Sequence, residues 1–218
     1  MEVTGRFAEA SNATLLAETS DAEMVVYKPR AGERPLWDFS PETLAAREVL
    51  TYEVSGAMGL AVVPQTVLGD GPYGPGSVQR FVEATPTFDP VAAVRKRDLR
   101  LWPLAVLDVV TNNADRKLGH ILEVDQVLLG IDHGLTFHPE PKLRTVLWLF
   151  AGNPIPRELL DAVSRLETAV AGSLGDRIEV LLGREERNAL AQRTTSLLMA
   201  RTHPLPPIDR PPVPWPAY

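Results

Sequence analysis

The 218-residue sequence contains no cysteine. That absence removes disulfide cross-links, thiolate catalysis and cysteine zinc sites together. Histidine is scarce too. The four, at 120, 133, 138 and 203, form no pair with helical zinc spacing, since His133 and His138 stand five apart beside Gly134 and Pro139. Long apolar runs are missing: stretches such as LWPLAVLDVV are too short to span a bilayer and are broken by Pro103 and Asp108. The opening MEVTGRFAEA has no apolar stretch of the kind a secretory signal needs. Positive charge is in deficit, with 22 Lys and Arg against 28 Asp and Glu, a formal net charge of -6. Nucleic acid or anionic lipid held by overall charge would need the opposite balance. The one dense basic run, Arg95, Lys96, Arg97 and Arg100, reads as a solvated helix face. These absences predict a cytoplasmic protein with no nucleic-acid partner and no stable membrane association.

What is present is ordinary globular composition, 44% hydrophobic and 23% charged, enough for one sizeable core or two small lobes around a cleft. The alternating, β-branched segments TLLAE and MVVYKP predict a hairpin turned at Thr19–Ala22. A tight turn is expected just before it, at Ala10–Thr14. Ser40 as N-cap, Pro41 in the first turn and Glu42 predict a helix that runs through LAAREVLTYEVSGAMG to near Gly59. VVPQTVL and SVQRFVE read as two further strands around a Gly/Pro-rich loop at 69–76. Asp89 to Val110 reads as helical with Pro103 disturbing its middle, and HILEV and VLLGID as two short strands. From Pro156 onward the pattern is helical. The tail from Pro204 holds seven of the 20 prolines, so it is expected to be extended or disordered, a candidate ligand for a partner with an aromatic groove. The expected architecture is α+β and two-lobed, with a β-rich lobe at 1–84, a mainly helical lobe at 85–203 and a Pro-rich tail at 204–218.

Four charged residues stand in the order that phosphoryl transfer requires: a cation for nucleotide phosphates, a partner that holds it, and two acids for the acceptor and a metal. Lys28 ends a strand and Glu48 lies on the next helix. Asp115 sits in the polar loop TNNADRK, and Asp132 follows the apolar strand LLGI. Each alone reads equally as a solvated surface group or a turn carboxylate; their joint order carries the functional reading.

The run Asn113-Ala114-Asp115-Arg116-Lys117-Leu118-Gly119-His120 resembles the catalytic loop of the phosphatidylinositol 3-/4-kinase superfamily, which includes HipA-like and Fam20-like kinases. Ile131-Asp132-His133-Gly134 resembles that superfamily's metal-binding Asp-x-Gly segment. Val26-Tyr27-Lys28-Pro29 resembles its nucleotide-lysine strand, Arg47-Glu48 its glutamate helix, and Val78-Gln79-Arg80-Phe81-Val82-Glu83 its hinge strand. The likeness covers roughly residues 5 to 137 and is nearest to short, stand-alone, actinobacterial-type members. It implies a two-lobed protein-kinase-like fold that binds ATP with Mg²⁺ or Mn²⁺. Under it Asp115 would orient the acceptor hydroxyl, with Lys117 near the transferred phosphate. Asp132 would hold metal, and Lys28, held by Glu48, would grip the phosphates. Gln79, Arg80 and Phe81 would lie along the adenine edge, Leu122 and Ile131 would floor the base, and Ser11 and Asn12 would cover the phosphates.

One position departs from the pattern. Five residues after Asp115, where the superfamily places a metal-binding Asn, this chain has His120. Imidazole favours softer ions than Mg²⁺, so His120 points to Mn²⁺, to a single-metal site, or to an inactive kinase. The expected function is therefore transfer of the γ-phosphoryl group to an unidentified hydroxyl acceptor, protein or small molecule before lipid. The alternatives are a nucleotide-binding pseudokinase and, more remotely, a scaffold that recruits a partner through its tail.

Overall fold

The computed structural model describes residues 1–7 and 12–218. Its first part is an antiparallel sheet of five strands in the order β1-β2-β3-β5-β4. The strands are β1 (Glu2–Arg6), β2 (Leu15–Glu18), β3 (Met24–Pro29), β4 (Thr66–Gly71) and β5 (Gly74–Arg80). The β2–β3 hairpin pairs Leu15 with Tyr27 and Glu18 with Met24. Alternation works here as expected: Leu15, Ala17, Val25 and Tyr27 turn to one face and make a small core with Val3 and Val78. β1 was not anticipated. It is a short edge strand with a register irregularity between Val3 and Gly5, which leaves little periodicity to read.

Helix α1 (Leu44–Ala57) crosses behind this sheet. It begins three residues later than its Ser40-Pro41-Glu42 signal suggests. Glu42 takes a positive φ of 60°, which ends any helix there, and the orphan N–H groups of Leu44 and Ala45 are capped by the Glu33 carboxylate at 3.4 and 3.1 Å. A cap supplied from eleven residues upstream wins over the local one. Leu50 and Val54 of α1, with Met58 just past its end, face away into the larger core, so the helix belongs to both lobes.

That larger core is helical. The expected Asp89–Val110 helix is two helices, α2 (Pro90–Arg95) and α3 (Trp102–Thr111), separated at Arg97, whose φ is 57°. Asp89 caps α2 by accepting from Val91 and Ala92 N–H at 2.9 and 3.0 Å. Pro103 lies in the first turn of α3, where a missing N–H costs nothing, and so disturbs no helix. A hairpin follows, β6 (Ile121–Val124) and β7 (Val127–Gly130), then α4 (Arg157–Val170), α5 (Ser173–Leu181) and α6 (Arg184–Ala200). The architecture is the two-lobed α+β fold expected. Among the described residues no helix is long and apolar enough to cross a membrane. The Pro-rich tail is extended, and it is docked: Pro212 O accepts from Thr145 N at 3.0 Å and Trp148 Nε1 at 2.8 Å, and Ala217 O accepts from Leu118 N at 2.9 Å.

Inside the helical core sits one fully buried ion pair. Asp108 of α3 meets Arg116, with the closest nitrogen at 3.0 Å and both side chains at 0% exposure. Asn113 Nδ2 and Thr145 Oγ1 also donate to Asp108, at 2.9 and 3.0 Å. Arg116 in turn donates to the carbonyl of Ile131 at 2.9 Å and to His133 Nε2 at 2.6 Å. Asp108→Ala would leave Arg116 charged and unpaired, with an expected loss of about 3–5 kcal/mol. Urea unfolding of the purified variant beside the wild type measures it; a loss below about 1 kcal/mol would mean the pair is dispensable.

Candidate active site

Lys28 lies on β3, inside the sheet, and strand alternation sends it to the face opposite Tyr27. β5 runs close beside it. A Cβ at Gly76 would stand 2.2 Å from the Lys28 carbonyl oxygen, so only glycine fits there. Across the cleft, α1 carries Glu48, and the segment after β7 carries Asp132. Asp132 takes a left-handed backbone, φ 59°, a conformation that short acidic side chains tolerate better than most.

These elements converge. Lys28 Nζ donates to Glu48 Oε1 at 2.5 Å and to Asp132 Oδ1 at 2.7 Å. The second oxygen of Glu48 accepts the backbone N–H of His133 at 2.9 Å, which fixes the residue after Asp132. Burial works against the Lys28 charge, but the Asp132 and Glu48 carboxylates outweigh it and raise its pKa. Lys28 in turn holds Asp132 well below the usual carboxylate range, against the opposing effect of burial. The side chain of Asp132 remains half exposed to the cleft.

Asp115 reaches the same space from the loop after α3. Its N–H is donated to Asn113 Oδ1 at 2.9 Å, and its carboxylate lies 3.2 Å from Lys117 Nζ. Burial pushes its pKa up, only partly offset by Lys117. Asp115, Lys28, Glu48 and Asp132 all line one cleft of about 200 Å³, together with Asn12 and Thr14. Ser11 lies outside the described residues. Arg34, which sequence reasoning passed over, lines the same cleft from the loop after β3, with its N–H donated to Asn12 Oδ1 at 2.9 Å.

His120 Nε2 stands 3.4 Å from Asp132 Oδ2, and its Nδ1 is buried without a partner. Burial drives its pKa down to about 4 against the pull of Asp132, so the ring is neutral at pH 7 and can ligate. A carboxylate oxygen and an imidazole nitrogen at this separation fit one divalent ion with bonds of about 2.1 Å to each. Among the described residues no group of three or more His, Asp or Glu is placed to hold a metal by itself. The pair therefore suits an ion that takes its other ligands from phosphate oxygens and water.

The expected adenine contacts gather less well. The Phe81 N–H is donated to Met24 O at 3.0 Å, and Gln79 is paired on both sides within the sheet, its side chain donating to Thr66 Oγ1 at 2.9 Å. Their amides are engaged by neighbouring strands, and Arg80 points to solvent. Leu122 and Ile131 are half-buried and lie outside the lining of the 200 Å³ cleft. Sequence reasoning missed Asp108 and Asn113, which hold Arg116 and Asp115. The available signal was a lone acid within an otherwise apolar helical run, because a buried charge needs a partner.

A curated protein of Mycobacterium tuberculosis (strain ATCC 25618 / H37Rv), Protein Rv2133c, is 40% identical over 257 aligned positions that take in all of this chain and 92% of the relative. The chain belongs to the Rv2133c family. No protein-family model matches it. Among solved structures it resembles the Helicobacter pylori proinflammatory kinase CtkA, with a TM-score of 0.58 and 13% identity over 92% of each chain. It also resembles the Golgi casein kinase with Mn/ADP bound, with a TM-score of 0.59 and 14% identity over 91% of this chain and 72% of that one. At these identities the likeness shows a kinase-like fold for this member of the Rv2133c family, and the fold alone, in agreement with the architecture above.

The His120 environment has a measurable signature. Its folded pKa of about 4 lies below the unfolded value of 6.5, so the unfolded chain takes up the proton first as pH falls. Stability present above pH 6.5 is therefore lost between 6.5 and 4, and this component is flat below. The ring proton resonances of His120 should keep their neutral shifts from pH 7.5 down to pH about 5. An NMR titration midpoint above 6 would show a solvated ring in place of a buried neutral one.

Proposed function

We propose that this chain is an ATP-dependent phosphotransferase, an atypical kinase of the phosphatidylinositol 3-/4-kinase-like superfamily, moving the γ-phosphoryl group to a hydroxyl acceptor. The observation that carries the reading is the meeting of Lys28 with both Glu48 and Asp132, at 2.5 and 2.7 Å, in a cleft that Asp115 also lines. Residues from a strand, a helix and two loops have no structural need to converge there. The kinase-like fold of the Rv2133c family supports it.

Lys28 would bind phosphate oxygens, its charge kept by the raised pKa and its position by Glu48. Asp132 and His120 would hold the divalent ion, which supplies neutralisation of phosphate charge when bound. The acceptor oxygen forms a bond to the γ-phosphorus as the bond to the ADP oxygen breaks, and Asp115 takes the hydroxyl proton. Burial raises the Asp115 pKa, which makes it a stronger base than a solvated carboxylate. Lys117, 3.2 Å from Asp115, would balance charge on the transferred group. The adenine edge would lie just past Phe81, at the backbone of Val82 and Glu83, because the amides of Gln79 and Phe81 are engaged in the sheet. The acceptor is a protein or small molecule in preference to a lipid, given the net charge of -6.

His120 in place of Asn favours a second reading, a nucleotide-binding pseudokinase, and turnover separates the two. The purified protein should consume ATP or autophosphorylate, faster with Mn²⁺ than with Mg²⁺. Asp115→Asn should lower that rate about 100-fold or more with little change in ATP affinity. Asp132→Asn should abolish the metal dependence. ATP binding with no turnover under either metal, in the presence of varied hydroxyl acceptors, would establish the pseudokinase instead; no ATP binding would refute both.

A further inference from the structure

The tail from Pro204 has no place in the chemistry above, yet it touches the loop that carries it. The backbone N–H of Leu118, three residues after Asp115 and two before His120, is donated to Ala217 O at 2.9 Å. The aromatic ring of Tyr218 lies against the next residue: a Cβ at Gly119 would stand 3.9 Å from it. On the other flank, the strip Arg144–Val146 runs parallel beside Arg116. Arg116 N–H is donated to Arg144 O at 3.1 Å, and Val146 N–H to Arg116 O at 3.2 Å. That strip is itself held from behind by the tail, through Pro212 O accepting from Thr145 N and Trp148 Nε1. Thr145 then passes the restraint inward, donating its hydroxyl to Asp108 at 3.0 Å.

We propose that residues 211–217 are a positioning strap for the loop bearing Asp115, Lys117 and His120, a role that rests on the phosphotransferase reading for its chemical effect. Proline suits the task. Its fixed φ leaves little chain entropy to lose on docking, and without an N–H it presents carbonyls alone, which is what the loop amides need. Pro214 is buried between the two contact points while Trp215 is 94% exposed, so one face of the strap is docked and the other faces solvent. Among the described residues no hydrogen bond joins the tail to Lys28 or Glu48. Loosening the strap therefore displaces Asp115 and His120 and leaves the phosphate cation in place. Misplacement of about 1 Å at reacting groups can cost up to about 100-fold in rate.

The test uses the full chain with Val213→Asp and Pro214→Asp, which put charge into the docked face. Amide hydrogen exchange should accelerate at Leu118 and Thr145 and stay unchanged in α1 and α4. ATP turnover, normalised to molecules that bind ATP, should fall about tenfold or more while KM for ATP stays within about twofold. A synthetic peptide of residues 209–218 should restore the rate. Accelerated exchange with unchanged turnover would overturn the positioning role, and unchanged exchange would overturn the docking itself. If the double variant does not fold, Trp148→Phe, which removes one donor to Pro212 O, faces the same two readouts. If the wild type consumes no ATP, the phosphotransferase reading fails, and the exchange measurement alone decides whether the strap holds the loop.

Discussion

Everything around the cleft hangs on the buried contact between Asp108 and Arg116. Two charges at 0% exposure cost several kcal/mol each to desolvate and persist only where every remaining donor and acceptor is matched. Here the matching groups are the neighbours of the site residues. Asn113 donates to Asp108 and accepts the Asp115 N–H; Ile131 O and His133 Nε2 accept from Arg116 on either side of Asp132. Arginine has no acceptor, so His133 Nε2 must accept and its ring is neutral, in line with a pKa that burial drives well below its ordinary value. The same crowding explains Gly130, where a Cβ would meet Leu104 at 2.8 Å and Arg116 at 3.1 Å. Two acids of opposite sequence context are thus set by one guanidinium.

A second set of polar contacts joins the lobes along α1. Arg47, 1% exposed, donates to Thr136 O and lies 3.4 Å from Glu186 of α6. Next to it Asp38 holds Lys142 at 2.8 Å through its carboxylate and His138 Nε2 through its carbonyl, and Lys142 sits 5.0 Å from the centre of the Trp37 ring. Apart from the Arg47–Glu186 pair, which reaches α6, these contacts join the loop or helix after β3 to the segment that follows Asp132. The opening of the cleft on this side is therefore set by buried polar partners, while the apolar residues of α1 anchor it to the helical core.

Much of this could be read from the chain, and the failures share a cause. The β2–β3 hairpin and the helices after Pro156 announce themselves because periodicity is a local property. The start of α1 does not, because its cap is Glu33, a loop residue that only the folded chain brings near Leu44. The division between α2 and α3 had its signals, Asp89 and Asp98 as caps, but no Gly or Pro marks the left-handed turn at Arg97. In the site, the order of Lys28, Glu48, Asp115 and Asp132 is legible, whereas their distances depend on strands and helices far apart in sequence. The Gln79 and Phe81 amides are taken up because sheet pairing continues to Phe81, and no pattern in SVQRFVE marks where it ends.

The two partners of the Lys28–Glu48 contact are mounted very differently. Lys28 sits on β3, hydrogen-bonded to β2 on one side and β5 on the other, with no slack in either direction. Glu48 rides on a helix whose first-turn N–H groups are capped by the Glu33 carboxylate and whose Arg47 reaches Thr136 and Glu186 of the helical lobe. A change in the distance between the two backbones is accordingly a movement of the helix against the sheet, because the strand is paired on both sides. The sheet serves as the fixed end of a ruler, and a probe placed at Glu48 would report the travel of α1 relative to it.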